Sequence, residues 1–408
     1  MHLPKNNIPA ANSMNVSRVE SSVLRSAIEQ KTFWALVLAA LVVLVATTTG
    51  HAQTESVLHS FANDGTDGFE PYATLIVDGK GNLYGTTSSG GAHNFGMVFK
   101  LTPTGTEKVL YSFGGGADGA HPQFGLVRKA GILYGVTPEG GAFGLGAVFK
   151  VNASGIETVL YSFKPDGVDG TGPNGDLVFD SAGNLYGTTQ RGGAFGLGTV
   201  FKVTPTGAET VLHSFAGGTD GCIAKAGLIR AGTKLYGTTF GCGNSHGTVF
   251  QITLTGTETV LHNFSGPDGE LPSGRLVRDP AGNLYGTTFW GGAHTVGTLF
   301  RVTKTGTHTV LYHFADIHGG HPSGALVLDS AGNLSGTTVQ GGQFGAGTVF
   351  VVSPIGDELV LHSFPASGPD GRFPQGGVVL NKKNGSLYGT TLQGGSGNVF
   401  GAVFQIIP

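Results

Sequence analysis

Charge is scarce in this sequence: only 12% of its 408 residues are Asp, Glu, Lys or Arg, and the formal net charge is −3. That leaves no basic face to neutralise phosphates, so nucleic acid is excluded as a partner. Apolar residues at helical spacing are missing beyond the N-terminal segment, which predicts almost no helix in the mature chain. Zinc-type spacings such as His-Glu-x-x-His are also missing, although His308, His313, His318 and His321 crowd one stretch. There is no Gly-x-Ser-x-Gly nucleophile elbow. Gly144-Leu145-Gly146 resembles part of a nucleotide loop but leads into a strand pattern rather than a helix. These absences leave no recognisable catalytic set and no cofactor. Cysteine is limited to Cys222 and Cys242.

Glycine, by contrast, is abundant, at 72 residues. It does not recur at every third position, which excludes collagen. A hydrophobic content of 39% with weak net charge excludes disorder. Short strands joined by many tight turns fit, because glycine reaches positive φ without steric cost.

Residues 1–52 read as a secretory signal. Lys5, Arg18, Arg25 and Lys31 precede an apolar run from Phe33 to Ala46, and small residues then allow cleavage after Ala52. The run is short for a membrane span, though an uncleaved anchor is the alternative, and Met14 is an alternative start. No second apolar run follows, so residues 53–408 are expected to be exported as a soluble chain, free of the membrane after cleavage.

Those residues repeat themselves. The phrase Val-Leu-(Tyr/His)-(Ser/Asn/His)-Phe ends at Phe61, Phe113, Phe163, Phe215, Phe264, Phe314 and Phe364, at intervals of 49 to 52 residues. Each copy continues through Asp-Gly, a Pro-containing loop, Gly-Asn-Leu-Tyr-Gly-Thr-Thr, Gly-Gly, Gly-Thr-Val-Phe-Lys-Val-Thr and Thr-Gly-Thr-Glu. Gly, Pro, Asn and Asp divide each copy into four short strands. In the third copy these are expected at 176–180, 184–189, 199–204 and 209–215. Four strands per unit of about 50 residues is the blade of a β-propeller. The chain opens with a fourth strand, Ser56–Phe61, and closes with a third, Ala402–Ile407. Pairing the two would seal a ring with no open edge. The expected fold is therefore an all-β, seven-bladed propeller of antiparallel four-stranded blades, completed by the N-terminal strand.

The motif resembles the bacterial GloVer (Gloeobacter/Verrucomicrobia-type) tandem repeat, carried here at Asn82–Thr87 with Gly90-Gly91, Asn184–Thr189 with Gly192-Gly193, and Asn283–Thr288 with Gly291-Gly292. The resemblance spans nearly all of residues 53–408. It implies an exported repeat protein, often with a surface-anchoring element, and it brings no catalytic residues. Since the sequence ends at Pro408 directly after the last copy, the chain is expected to depart from the family in lacking a C-terminal anchor.

Candidate functional residues are those that the scaffold does not demand. Loops from strand four to strand one and from strand two to strand three share one face, and their variety makes it the expected binding surface. Three residues after the loop proline, the copies read Thr74, Gly125, Asp176, Gly227, Arg275, Ala325 and Gly377. Asp176 and Arg275 break a row of mostly small residues near the axis. Glu139, Arg191 and Trp290 vary beside the Gly-Gly pairs and are expected at the rim. Together these five suit a glycan or surface-protein ligand. The recurrent Tyr84, Tyr134, Tyr186, Tyr236, Tyr285 and Tyr388 read as packing, and the Asp-Gly loops as turns rather than metal sites. Cys222 and Cys242 occupy two same-face loops of the fourth copy, and export permits a disulfide between them. The expectation is a monomeric, non-catalytic binding propeller outside the cytoplasm. An extracytoplasmic lyase or glycoside-active enzyme and a structural surface protein are the alternatives.

Overall fold

A computed structural model of the protein describes residues 54–241, 246–396 and 400–407, and all regular structure among them is β. The signal segment assigned to residues 1–52 lies outside the described residues. Seven antiparallel sheets follow one another around a ring, each running from a first strand at the inside to an outer fourth strand. Blade 3 comprises Gly170–Phe179, Leu185–Gly192, Thr199–Val203 and Glu209–Ser214. Blade 7 uses Val379–Leu380, Leu387–Thr391 and Ala402–Ile407, and its outer strand is Thr54–Ser60. Thr54–Ser60 pairs antiparallel with Ala402–Ile407, matching Thr54 to Ile407 and Ser60 to Ala402. The two ends of the repeat thus complete one sheet, as the strand phase predicts.

The core lies between blades, which is why both faces of the second strands are apolar. Leu83–Thr87 is buried at every residue. The phenylalanine that ends each outer strand meets, edge to face, the phenylalanine of the next blade's third strand. The seven pairs run from Phe61–Phe99 at 5.3 Å through Phe163–Phe201 at 5.1 Å to Phe364–Phe404 at 5.1 Å between ring centroids. Such pairs add roughly 0.5–1.5 kcal/mol each beyond their area. The glycine of Leu-Tyr-Gly-Thr-Thr makes room for this ring. A Cβ on Gly187 would stand 2.6 Å from Phe201 and 2.8 Å from Leu177.

First strands are shorter than their apolar runs suggest, mostly two or three residues, as at Ile76–Val77 and Val277–Arg278. The chain enters each blade through a residue at positive φ just before the loop proline or its equivalent: Glu70, His121, Gly172, Ile223, Leu271, His321 and Phe373. Each donates its N–H to the preceding blade, for example His121 to the Phe95 carbonyl at 2.9 Å and His321 to that of Val296 at 2.7 Å. The left-handed turn ties neighbouring blades together but delays entry into the sheet. Blade 3 alone has glycine there, and its first strand runs through the turn, over Gly170–Phe179.

Candidate functional site

The residues that follow each loop proline, or Ala224 in blade 4, converge on the axis. Small residues keep the inner end tight: a Cβ on Gly377 would lie 2.0 Å from the Ala325 carbonyl oxygen. Toward the face that carries the four-to-one and two-to-three loops, the same segments diverge around a cavity of about 530 Å³. The position directly after the proline supplies much of its polar wall, as Gln123, Asn174, Lys225 and Gln375. Aromatic surface comes from Tyr72, Phe124, Phe240 and Phe289. Sequence reasoning watched the position two residues further on and passed over this ring. The signal was available: Tyr72, Gln123, Asn174, Lys225, Ser273, Ser323 and Gln375 vary where the scaffold asks for nothing specific.

Asp176 and Arg275 both line this funnel, and they meet across blade 4. Arg275 Nε lies 3.5 Å from Asp176 Oδ2, while Asp176 Oδ1 accepts the Gly125 N–H at 2.7 Å. Gly227 stands between them, and its missing side chain lets Asp176 approach, since a Cβ there would be 2.9 Å from Asp176 Cβ. The Lys225 ammonium sits 3.6 Å from the centroid of the Phe240 ring, a cation–π contact. Burial lowers the pKa of that amine below the ordinary lysine range.

The residues expected at the rim separate into two places. Glu139 and Arg191 share a side crevice of about 290 Å³ between blades 2 and 3, and Gln190 lines both crevice and funnel. Trp290 lies outside both cavities. It is 42% exposed and packs edge-on against His321 at 4.2 Å. Cys222 is fully buried, and its N–H reaches the Gly241 carbonyl at 3.1 Å. Cys242 lies outside the described residues.

The repeated polar residues serve the scaffold. Tyr84, Tyr186 and Tyr285 donate to Asp78, Asp180 and Asp279 at 3.0–3.1 Å. The loop aspartates cap their own turns and hold the outer strand. Asp118 accepts from Gly114 N–H at 2.6 Å and from the Tyr111 hydroxyl at 2.8 Å.

The model of the Gloeobacter/Verrucomicrobia repeat matches residues 42–246 and again 239–408. No curated protein matches the chain. Among solved structures, one described as the extracellular domain of a one-component system from B. thetaiotaomicron aligns with a TM-score of 0.56 at 14% identity, covering 87% of this chain and 42% of that one. A second from the same organism, described as the extracellular domain of a hybrid two-component system, gives 0.54 at 14% identity over 87% and 41%. A gluconolactonase from Xanthomonas campestris gives 0.46 at 15% identity over 87% and 89%. At these identities the likeness to the two extracellular domains concerns the fold alone.

Proposed function

The chain belongs to the Gloeobacter/Verrucomicrobia repeat family, and from that premise we propose that it is an exported, non-catalytic binding propeller that takes a glycan into its axial funnel. The funnel itself carries the reading. A cavity of about 530 Å³ has room for a short saccharide. Its aromatic faces suit the apolar side of a sugar ring, and its amides, with Asp176 and Arg275, suit hydroxyl groups. An enzyme acting on glycosidic bonds commonly needs two carboxyl groups flanking the bond. Asp176 is the single carboxylate among the described residues lining the funnel, and it is already engaged by Gly125 and Arg275. Export rests on the basic and apolar layout of residues 1–52. The protein acts as a monomer and binds no nucleic acid.

The test is a glycan array on residues 53–408, followed by calorimetry on the best ligand. Arg275→Ala and Gln190→Ala should each weaken binding by tenfold or more, whereas Trp290→Ala should leave it within about twofold. Loss of binding in Trp290→Ala alone would move the site to the rim, and a silent array would overturn the glycan reading.

A further inference from the structure

Three positions of the repeat meet at every junction between blades. One lies two residues before the outer-strand phenylalanine, one is in the following loop, and one opens the next blade's outer strand. The first is Tyr111, Tyr161 or Tyr312 in three copies and His59, His213, His262 or His362 in the others. The third is glutamate at 55, 107, 157, 209, 258 and 358, and histidine only at His308. The junction between blades 4 and 5 therefore differs from the rest.

There the outer strand Glu258–Asn263 supplies His262, the loop after it Asp268, and the outer strand His308–His313 of blade 5 its first residue. The two imidazoles stack with centroids 4.0 Å apart and planes within 7°. His262 Nε2 lies 2.8 Å from Asp268 Oδ2. One ligand atom from each of the three side chains falls within 4.8 Å of the other two. His308 Nε2 is buried and has no hydrogen-bond partner among the described residues. A buried ring nitrogen left without a partner is costly, and the glutamates that stand at this position elsewhere would bring a second carboxyl group beside the loop aspartate rather than a neutral lone pair.

We infer that His262, Asp268 and His308 form a binding site for a divalent first-row transition metal of the zinc class. Two imidazoles and one carboxylate are the donor set such ions prefer over calcium or magnesium. The proton shared between His262 and Asp268 is the one the metal displaces, and His308 offers the lone pair that nothing else uses. Tetrahedral coordination at about 2.0–2.1 Å places ligand atoms about 3.3 Å apart, so the three groups close by up to about 1.5 Å, the two stacked imidazoles turn until each ring plane points at the ion, and a fourth position is left for water. The ligands come from two blades, which is why no spacing motif announces them.

The full chain, stripped with chelator, is titrated with Co²⁺ while its visible absorption is followed, and Zn²⁺ is then added in competition. His262→Tyr places at this junction the residue that three other copies already carry, so the fold should tolerate it. His308→Gln is the second variant, and circular dichroism checks both. A visible band that Zn²⁺ abolishes, with zinc affinity at least tenfold weaker in each variant, is expected. No band under excess Co²⁺, or equal zinc affinity in both variants and the parent, overturns the assignment.

Discussion

Cys222 stands in the one blade that lacks the loop proline, and a disulfide from it to Cys242 would have a purpose there. In the other six loops the proline packs on a glycine of the preceding blade. A Cβ on Gly146, for example, would meet Pro173 Cδ at 2.4 Å, and one on Gly247 would meet Pro272 Cδ at 2.6 Å. Blade 4 has Ala224 instead, so its entry loop loses both that packing and the fixed φ of proline. A Cys222–Cys242 disulfide would offset the loss by closing a loop of about 20 residues, worth about 3 kcal/mol by the chain-entropy estimate. Thiol alkylation under non-reducing conditions should label neither cysteine, and reduction should lower Tm. Two labelled thiols in the untreated protein would sink the idea. The same residue-level view explains what sequence reasoning missed in the funnel. Asp176 and Arg275 stand out because charge replaces small residues, whereas Gln123, Lys225 and Gln375 sit in a column with no consensus to break.

At the scale of the strand, the outer strands bring acidic groups together across each junction. Glu157 and Glu209 open two of them, and their carboxyl pKa values are pushed up to about 7, first by burial and then by the charges of Asp118 and Asp169. A folded pKa above the unfolded value means that the folded state holds the proton longer. This contribution to stability is complete below about pH 4.5 and is lost as pH rises toward 7. An acid limb opposes it. Asp78, held at about 2 by hydrogen bonds from Asn82 and Lys80 that outweigh its partial burial, loses its stabilising contribution as pH falls from about 4 to about 2. Thermal stability should therefore peak between about pH 4 and 4.5 and decline toward pH 7. Replacing both glutamates, Glu157→Gln and Glu209→Gln, should flatten the decline and raise Tm at pH 8 by roughly 1–2 °C per site. A pH profile parallel to that of the parent would refute the proton-holding role. The strands themselves were largely legible. Period-two alternation and Gly-Asn or Thr-Gly turns locate third and fourth strands to within a residue or two, as at Thr199–Val203 and Glu209–Ser214, whereas the second strand expected at 184–189 runs on to Gly192. The first strand of the third copy, expected at 176–180, was read too short: it runs over Gly170–Phe179 because Gly172 takes the left-handed turn without interrupting the sheet, and the left-handed residue before the proline carries no composition signal. The histidine junction escaped notice because its ligands belong to separate repeats.

For the whole molecule, closure is the property on which everything else depends, since an axial funnel exists only in a sealed ring. The seal consists of Thr54–Ser60 along Ala402–Ile407, and of Phe61 against Phe99 at 5.3 Å. Without that strand, blade 7 would expose an unpaired edge and its apolar face, the arrangement that invites aggregation. The repeat also dictates how the seal can be rebuilt. In blade 3 the third and fourth strands are joined by Thr204-Pro205-Thr206-Gly207-Ala208, with Val203 paired to Glu209. In blade 7, Ile406 pairs with Glu55, so the equivalent turn would read Ile407-Pro408-Thr-Gly-Thr54. A circular permutant with Thr-Gly inserted between Pro408 and Thr54, opened at the exposed turn residue Ser154, should fold with a Tm within about 5 °C of the parent. Deletion of residues 54–61 should instead yield aggregated protein or a Tm lower by 10 °C or more. A soluble deletion variant with unchanged Tm would mean that six blades and an open seventh suffice, and the ring seal would lose its role. A permutant that fails while the parent folds would instead show that the free ends at the seam are themselves required.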